Sequence, residues 1–301
     1  MQSPTPTPPA KPTPPAEDGQ DPAKKPKEQR NKQEQNAVEE QEAEERSAPS
    51  GKVIYKAIVS EGTEELKRSS AALFWSGLAA GLSMSFSMVA EGLLMRYLPN
   101  ATWQPLVASL GYSLGFVIVV LGRQQLFTEN TLTPILPLLQ ERTWECLRNV
   151  GRLWGVVLAA NLVGAALIGL AIAHSSAFEP EVKAEFARMG HTALSHDFAT
   201  TLVRGVFAGW LIALMVWLLP FAEEGRFWVI IFITYFVGVA HFSHVIAGAV
   251  EVFTLAAMGQ TGWGTALGSF VVPALLGNIL GGLALVAALN YAQVTAGEES
   301  N

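Results

Sequence analysis

Gly122-Arg123-Gln124-Gln125-Leu126-Phe127-Thr128-Glu129-Asn130-Thr131 interrupts an apolar run that otherwise extends over residues 105–139. One helical crossing of a bilayer takes roughly 20 predominantly apolar residues. The run is too long for one crossing, and its polar stretch falls inside it. A second long run, 227–258, is interrupted in the same way by Gly238-Val239-Ala240-His241-Phe242-Ser243-His244, with Gly248 and Glu251 just beyond. Four unbroken runs, 72–95, 151–173, 199–219 and 265–292, complete a set of six candidate spans. Unwinding a helix at membrane depth strands N–H and C=O groups, which is tolerated only where protein or a wet cavity covers them. The chain therefore reads as an all-α polytopic membrane protein whose second and fifth helices are broken around a polar path.

Short echoes connect the two halves. Asn161-Leu162-Val163-Gly164 in the third span recurs as Asn278-Ile279-Leu280-Gly281 in the sixth, and Gly77 and Gly81 in the first as Gly205 and Gly209 in the fourth. Phe127-Thr128 at one break is echoed by Phe242-Ser243 at the other. A repeat of three spans crosses an odd number of times, so its second copy lies inverted. Paired broken helices in inverted repeats point to a transport site near the midplane.

Half of the 301 residues are apolar and 15% are charged, against ~25% in ordinary soluble chains. Much of the charge lies in residues 1–70, expected to be a disordered cytoplasmic tail. That tail is Pro-rich to residue 27 and Gln/Glu/Lys/Arg-rich over 28–46, where a solvated helix is conceivable. It reads as a solubilising extension or a partner-binding arm. Residues 71–293 form the membrane domain, and 294–301 a short C-terminal tail. The net charge of −6 has no concentrated basic face, which argues against a nucleic-acid partner. Cys146 is the single cysteine, so no intrachain disulfide or Cys-based metal site can form. The first 50 residues hold no apolar stretch of signal-peptide length. Arg142, Arg148, Arg152 and Arg226, with Lys52, Lys56, Lys67 and Arg68, outnumber the basic residues of the opposite loops, placing both termini in the cytoplasm.

Thr128 can offer a hydroxyl donor at the first break and His244 an imidazole at the second. Half-helix N-termini add partial positive charge for an anion. An ionisable residue inside a membrane marks a functional path by default, the bland reading being a histidine bonded to a neighbouring carbonyl. His244 could exchange a proton with the anion or act only as a neutral donor; both remain open here. His241 is a second titratable group or a structural cap. His241, His244 and Glu251 make a poor metal set without a thiolate or a further histidine pair, and no cofactor is expected. Glu129 would repel an anion it faced, and is expected to sit behind the loop accepting backbone N–H bonds.

Gln125 to Thr131 resembles the second-helix loop of the formate/nitrite transporter family, written E-L-F-T-G-N. Phe242-Ser243-His244-Val245-Ile246-Ala247-Gly248 resembles its fifth-helix loop, F-E-H-S-x-A-N, and residues 273–282 its sixth helix. The likeness covers residues 70–295. It implies an aquaporin-like six-helix protomer, a homopentamer with one pore per protomer, and transport of formate, nitrite or similar small anions, with or without protons, across a bacterial inner membrane. By position it implies Thr128 and His244 as the central pair, Leu126 at a narrowing and Phe242 beside the histidine, with Ser243 and Asn130 in the same loops. Gln125, Glu129, Ser243, Gly248 and Gly209 replace the family's usual residues, as in a divergent branch. A conduit for water or neutral solutes, or a non-conducting scaffold, are the alternatives; no nucleophile–base pair suggests an enzyme.

Overall fold

A helix that is apolar on every side has to place much of that surface outside its own fold. Five helical stretches here are long and apolar enough to cross a membrane: Ser70–Tyr97, Gln104–Leu121, Trp144–His174, Phe198–Phe221 and Trp263–Gln293. Each keeps large side chains on its outer face, among them Trp75, Leu110, Leu167, Val203 and Leu276. The structure, a computed structural model, describes residues 50–298. The Pro-rich segment, the helix considered for 28–46 and residues 299–301 lie outside the described residues.

In chain order the helices are α1 (Gly51–Lys67), α2 (Ser70–Ser83), α3 (Ser85–Tyr97), α4 (Gln104–Leu121), α5 (Ile135–Glu141), α6 (Trp144–His174), α7 (Pro180–Ala193), α8 (Phe198–Leu218), α9 (Arg226–Val239) and α10 (Val245–Ala257). The last stretch contains α11 (Trp263–Thr265), α12 (Val272–Leu280) and α13 (Ala288–Glu298), joined through π-helical turns at Ala266–Val271 and Gly281–Ala287. No strand occurs among the described residues. Helix α13 carries the backbone through 294–298, residues expected to be tail.

Residues 51–67 also correct the expected tail boundary. They form α1, because Tyr55, Ile58, Gly62 and Leu66 make a stripe on one face of an otherwise polar helix. Gly62 lies so close to the Thr133 carbonyl that a β-carbon would collide with it. The Arg152 guanidinium fastens the far end of α1 by donating to the Leu66 and Arg68 carbonyls at 2.7 and 2.9 Å. Between spans, α7 buries Val182, Phe186 and Gly190 and covers α3 and α10.

The tightest crossings are α2 with α6 and α8 with α12. They rest on small residues: Gly81 meets the backbone of Asn161, and Gly209 that of Asn278, with no room for a side chain at either. Close approach brings each asparagine within reach of a break in the neighbouring helices.

Candidate functional site

The two breaks are built on one backbone plan. At the first, Gly122 N–H bonds Ile118 and Gln124 N–H reaches back to Val119, with Arg123 left-handed at φ 49°. At the second, Ala240 N–H bonds Phe236 and Phe242 N–H reaches back to Val237, with His241 left-handed at φ 52°. A non-glycine residue in this conformation is uncommon. Two in matching places mark a built feature.

Each chain then runs extended into an asparagine clamp. Asn161 Nδ2 donates to the Gly77 and Gln125 carbonyls at 2.7 and 2.9 Å, while its Oδ1 accepts from Phe127 N–H at 2.9 Å. Asn278 Nδ2 donates to the Gly205 and Ser243 carbonyls, both at 2.8 Å, and its Oδ1 accepts from Val245 N–H at 2.9 Å. These bonds pair Arg123 with His241, Gln125 with Ser243 and Phe127 with Val245 at one constant offset. The likeness of Phe127-Thr128 to Phe242-Ser243 is therefore out of register by three residues. Leu126, not Thr128, is the positional counterpart of His244.

Beyond the clamps the breaks diverge. After the first come a single 3₁₀ turn (Glu129–Thr131) and the short α5. Gln125 and Asn130 hold this turn together: Asn130 Nδ2 donates to Gln125 Oε1 at 2.9 Å and to the Leu126 carbonyl at 3.2 Å. Its own carbonyl accepts from the Trp154 indole N–H at 2.8 Å. The Asn130 side chain is thus committed to the loop. After the second break, α10 starts at once, capped by His244, whose Nδ1 accepts from Ala247 N–H at 3.1 Å.

The capping bond fixes the tautomer. A nitrogen that accepts carries no proton, so the neutral ring bears its hydrogen on Nε2. Nε2 lies 2.7 Å from Thr128 Oγ1 and donates to it. Thr128 accepts that bond and keeps its own hydrogen to donate. Both side chains are buried, beside the likewise buried Leu126, Phe116 and Phe127. Phe116 meets the imidazole edge-on, with ring centroids 4.9 Å apart. Phe242, which flanks His244 in sequence, stacks on Phe207 at 5.2 Å.

Two cavities lie at opposite ends of α4 and α8. The first, about 210 Å³, is lined by Ser109, Tyr112 and Arg204 from the starts of those helices and reaches Phe242, Ser243 and His244. Glu91, Arg188, His241, Gly248 and Glu251 complete most of its polar lining. His196, in the turn just before α8, also lines it and contacts Arg204. Burial, and then the Arg204 charge, hold this histidine below its usual pKa; it is neutral at pH 7, and the fixed positive charge there belongs to Arg188 and Arg204. The second cavity, about 420 Å³, lies at the α1 end and is lined by Glu61, Glu65, Arg68, Arg123, Gln125, Glu129 and Arg226. Glu129 does not sit behind its loop: it faces this cavity, and its Oε1 is buried without a hydrogen-bond partner.

The structure thus brings His244, Thr128, Leu126, Phe242 and Ser243 together, and puts His241 and Glu129 in opposite cavities. Sequence reasoning missed the asparagine clamps, though both residues stood in the repeat it found. It also missed the cavity role of Glu91 and Glu251. The i, i+4, i+7 spacing of His244, Gly248 and Glu251 was the available signal for the latter. Phe270 explains one departure: its ring lies where a side chain at position 248 would go, so only glycine fits. Among the described residues no His, Cys, Asp and Glu cluster is arranged to hold a metal ion.

One cavity ends on His244 of a buried polar contact, and a second lies at the other end of the same helices. Residues 52–292 match the family model for the formate/nitrite transporter, and the chain belongs to that family. Among curated relatives, Inner membrane protein YfdC of Escherichia coli (strain K12) is 37% identical over 254 residues, 83% of this chain and 81% of that protein. Among solved structures, an FNT family ion channel superposes with a TM-score of 0.68 at 16% identity, covering 80% of this chain and 98% of its own. A pentameric formate channel with formate bound gives 0.61 at 20% identity, covering 75% and 98%. At those identities the likeness carries the fold.

Proposed function

We propose that this chain passes small monovalent weak-acid anions of the formate and nitrite class through a pore in each protomer, with Thr128 and His244 as the central contact. The observation that carries this reading is the buried 2.7 Å bond between Thr128 Oγ1 and His244 Nε2, with one cavity reaching His244 and a second lined by Gln125, Glu129 and Asn130 of the Thr128 loop. An anion, or its acid, entering between them meets two neutral donors, Nε2–H and the Thr128 hydroxyl, at the cost of one hydrogen bond. The N-terminus of α10 adds its partial positive charge at the same place. Leu126 narrows the path on the Thr128 side, with Phe242 and Ser243 leading to it on the other. His241 and Glu129 bear on it from the cavities, while Asn130 supports the loop.

In this reading α9 and α10 together make the fifth crossing, which brings the total to six, and the matched clamps are the signature of two inverted three-helix repeats, as in aquaporins. The outward apolar faces meet lipid and neighbouring protomers of a homopentamer, the assembly of the formate channel with the same fold. The relative from Escherichia coli suggests an inner membrane, and the basic residues around α1 and α9 suggest cytoplasmic termini, so the α1 end is the inner one.

The test is uptake of formate, nitrite, acetate and hydrosulfide into vesicles holding the purified full chain, beside Thr128→Ala and His244→Ala. Uptake above that of protein-free vesicles, weakened in both variants with the assembled protein still present, is the expected result. Wild-type rates in both variants would remove the pair from the path, and no uptake of any of the four would end the reading.

A further inference from the structure

If a weak acid crosses this pore in neutral form, something on the path has to supply its proton, and His244 is badly placed to do so. Both its nitrogens are engaged, Nδ1 with Ala247 N–H and Nε2 with Thr128. Doubly protonating the ring would break the cap of α10. A charge at the pair is also poorly accommodated, because Leu126, Phe116 and Phe127 offer it no compensation.

Seven residues along α10, Glu251 lies on the face that carries His244 and Gly248, and all three line the smaller cavity. The Glu251 side chain makes no hydrogen bond or ion pair among the described residues, although α10 is covered by α7, whose Gly190 packs on the Glu251 carbonyl. Glu91 on α3 lines the same cavity. Glu91 Oε1 accepts from Ser109 Oγ at 3.5 Å. The remaining titratable or charged groups of this cavity are Tyr112 on α4, Arg188 on α7, His196 between α7 and α8, Arg204 on α8, and His241 and His244 in the second break. A carboxyl left unbonded at membrane depth is costly to maintain. Sharing one cavity with Arg188, Arg204 and His244 gives it a use.

We propose that Glu251, with Glu91 opposite, protonates the anion in the α7-side cavity, so that neutral acid is what reaches Thr128 and His244 from that side. Arg188 and Arg204 draw the anion in. The Glu251 O–H bond breaks, its proton forms an O–H bond on the anion, and Glu251 is left as the carboxylate. A proton from bulk water, entering by the same cavity with Glu91 as neighbour, restores it. Acid and base exchange roles when flux reverses. This deepens the transport reading and rests on it.

The experiment uses vesicles containing the full chain, with labelled formate uptake and internal acidification by a trapped pH dye recorded together, protein-free vesicles subtracted. In the wild type, protons enter with formate, and uptake rises as external pH falls. In Glu251→Gln the ratio of proton to formate entry drops at least about tenfold and the pH profile flattens, as loss of a general acid does; Glu251→Asp restores both. Glu91→Gln moves the same ratio in the same direction, and provides the reading should Glu251→Gln fail to assemble. An unchanged ratio and pH profile in either assembled glutamine variant overturns the proposal while leaving transport intact. A wild type that takes up no formate overturns the transport reading itself.

Discussion

The two breaks begin identically and end differently. Up to the asparagine clamp they share one main-chain turn, including an unusual left-handed residue at Arg123 and His241. Past it, the first break spends its polar side chains on holding its own turn, and the second launches a 13-residue helix from an imidazole cap. The shared part is architecture: main-chain groups cut loose at membrane depth have to be bonded, and one carboxamide bonds three of them. The unshared part is chemistry. At matched positions one break presents Leu126 and the other His244, which gives the proposed passage an apolar side and a donor side. Thr128 reaches across from two positions further on.

The comparison can be broken most forcefully at the clamps. Asn161→Ala and Asn278→Ala each remove three hydrogen bonds and leave buried carbonyl and N–H groups unpaired, at ~1–3 kcal/mol apiece. Both variants are expected to lose most of the assembled protein, read by size-exclusion chromatography and thermal unfolding in detergent. If one clamp proved dispensable, the breaks would not be equivalent. Next in size is His244→Leu, which makes the second break resemble the first at this position. It is expected to lower formate uptake by about tenfold or more, the worth of one good hydrogen bond to a charged group, with little change in assembly.

A smaller effect is expected at Gly248. Gly248→Ala pushes a methyl into the Phe270 ring, and overpacking of this kind costs about 1–3 kcal/mol. Adding Phe270→Leu should recover much of the loss, measured as the thermal midpoint of the two variants. The smallest concerns backbone strain. Arg123→Gly and His241→Gly should each raise unfolding stability by up to about 1 kcal/mol, because glycine takes the left-handed conformation without penalty. Equal gains in the two variants would support equal strain in the two breaks.

Much of this was legible in the chain. Long apolar runs identify the membrane stretches because little else requires them, and polar residues as sparse as Thr128 and His244 stand out within them. What escaped was decided by distance and by backbone. Helix α1 was read as tail because its four inward residues are diluted by charged neighbours. The register of the breaks was misread by three residues because similar letters, Phe-Thr and Phe-Ser, were matched where main-chain hydrogen bonds set the correspondence. Glu129 and Asn130 are adjacent, yet one faces a cavity and the other is consumed by its loop. A string of letters does not carry that difference, since it depends on where a single turn points each side chain.

The clamps also dictate an order of assembly. Phe127 has to wait for Asn161, 34 residues later, and Val245 for Asn278, 33 residues later. Each loop is therefore left incomplete until the later helix that carries its asparagine has packed beside it. Until then its unbonded main-chain groups have to be met by water or by other protein, because lipid offers them no partner.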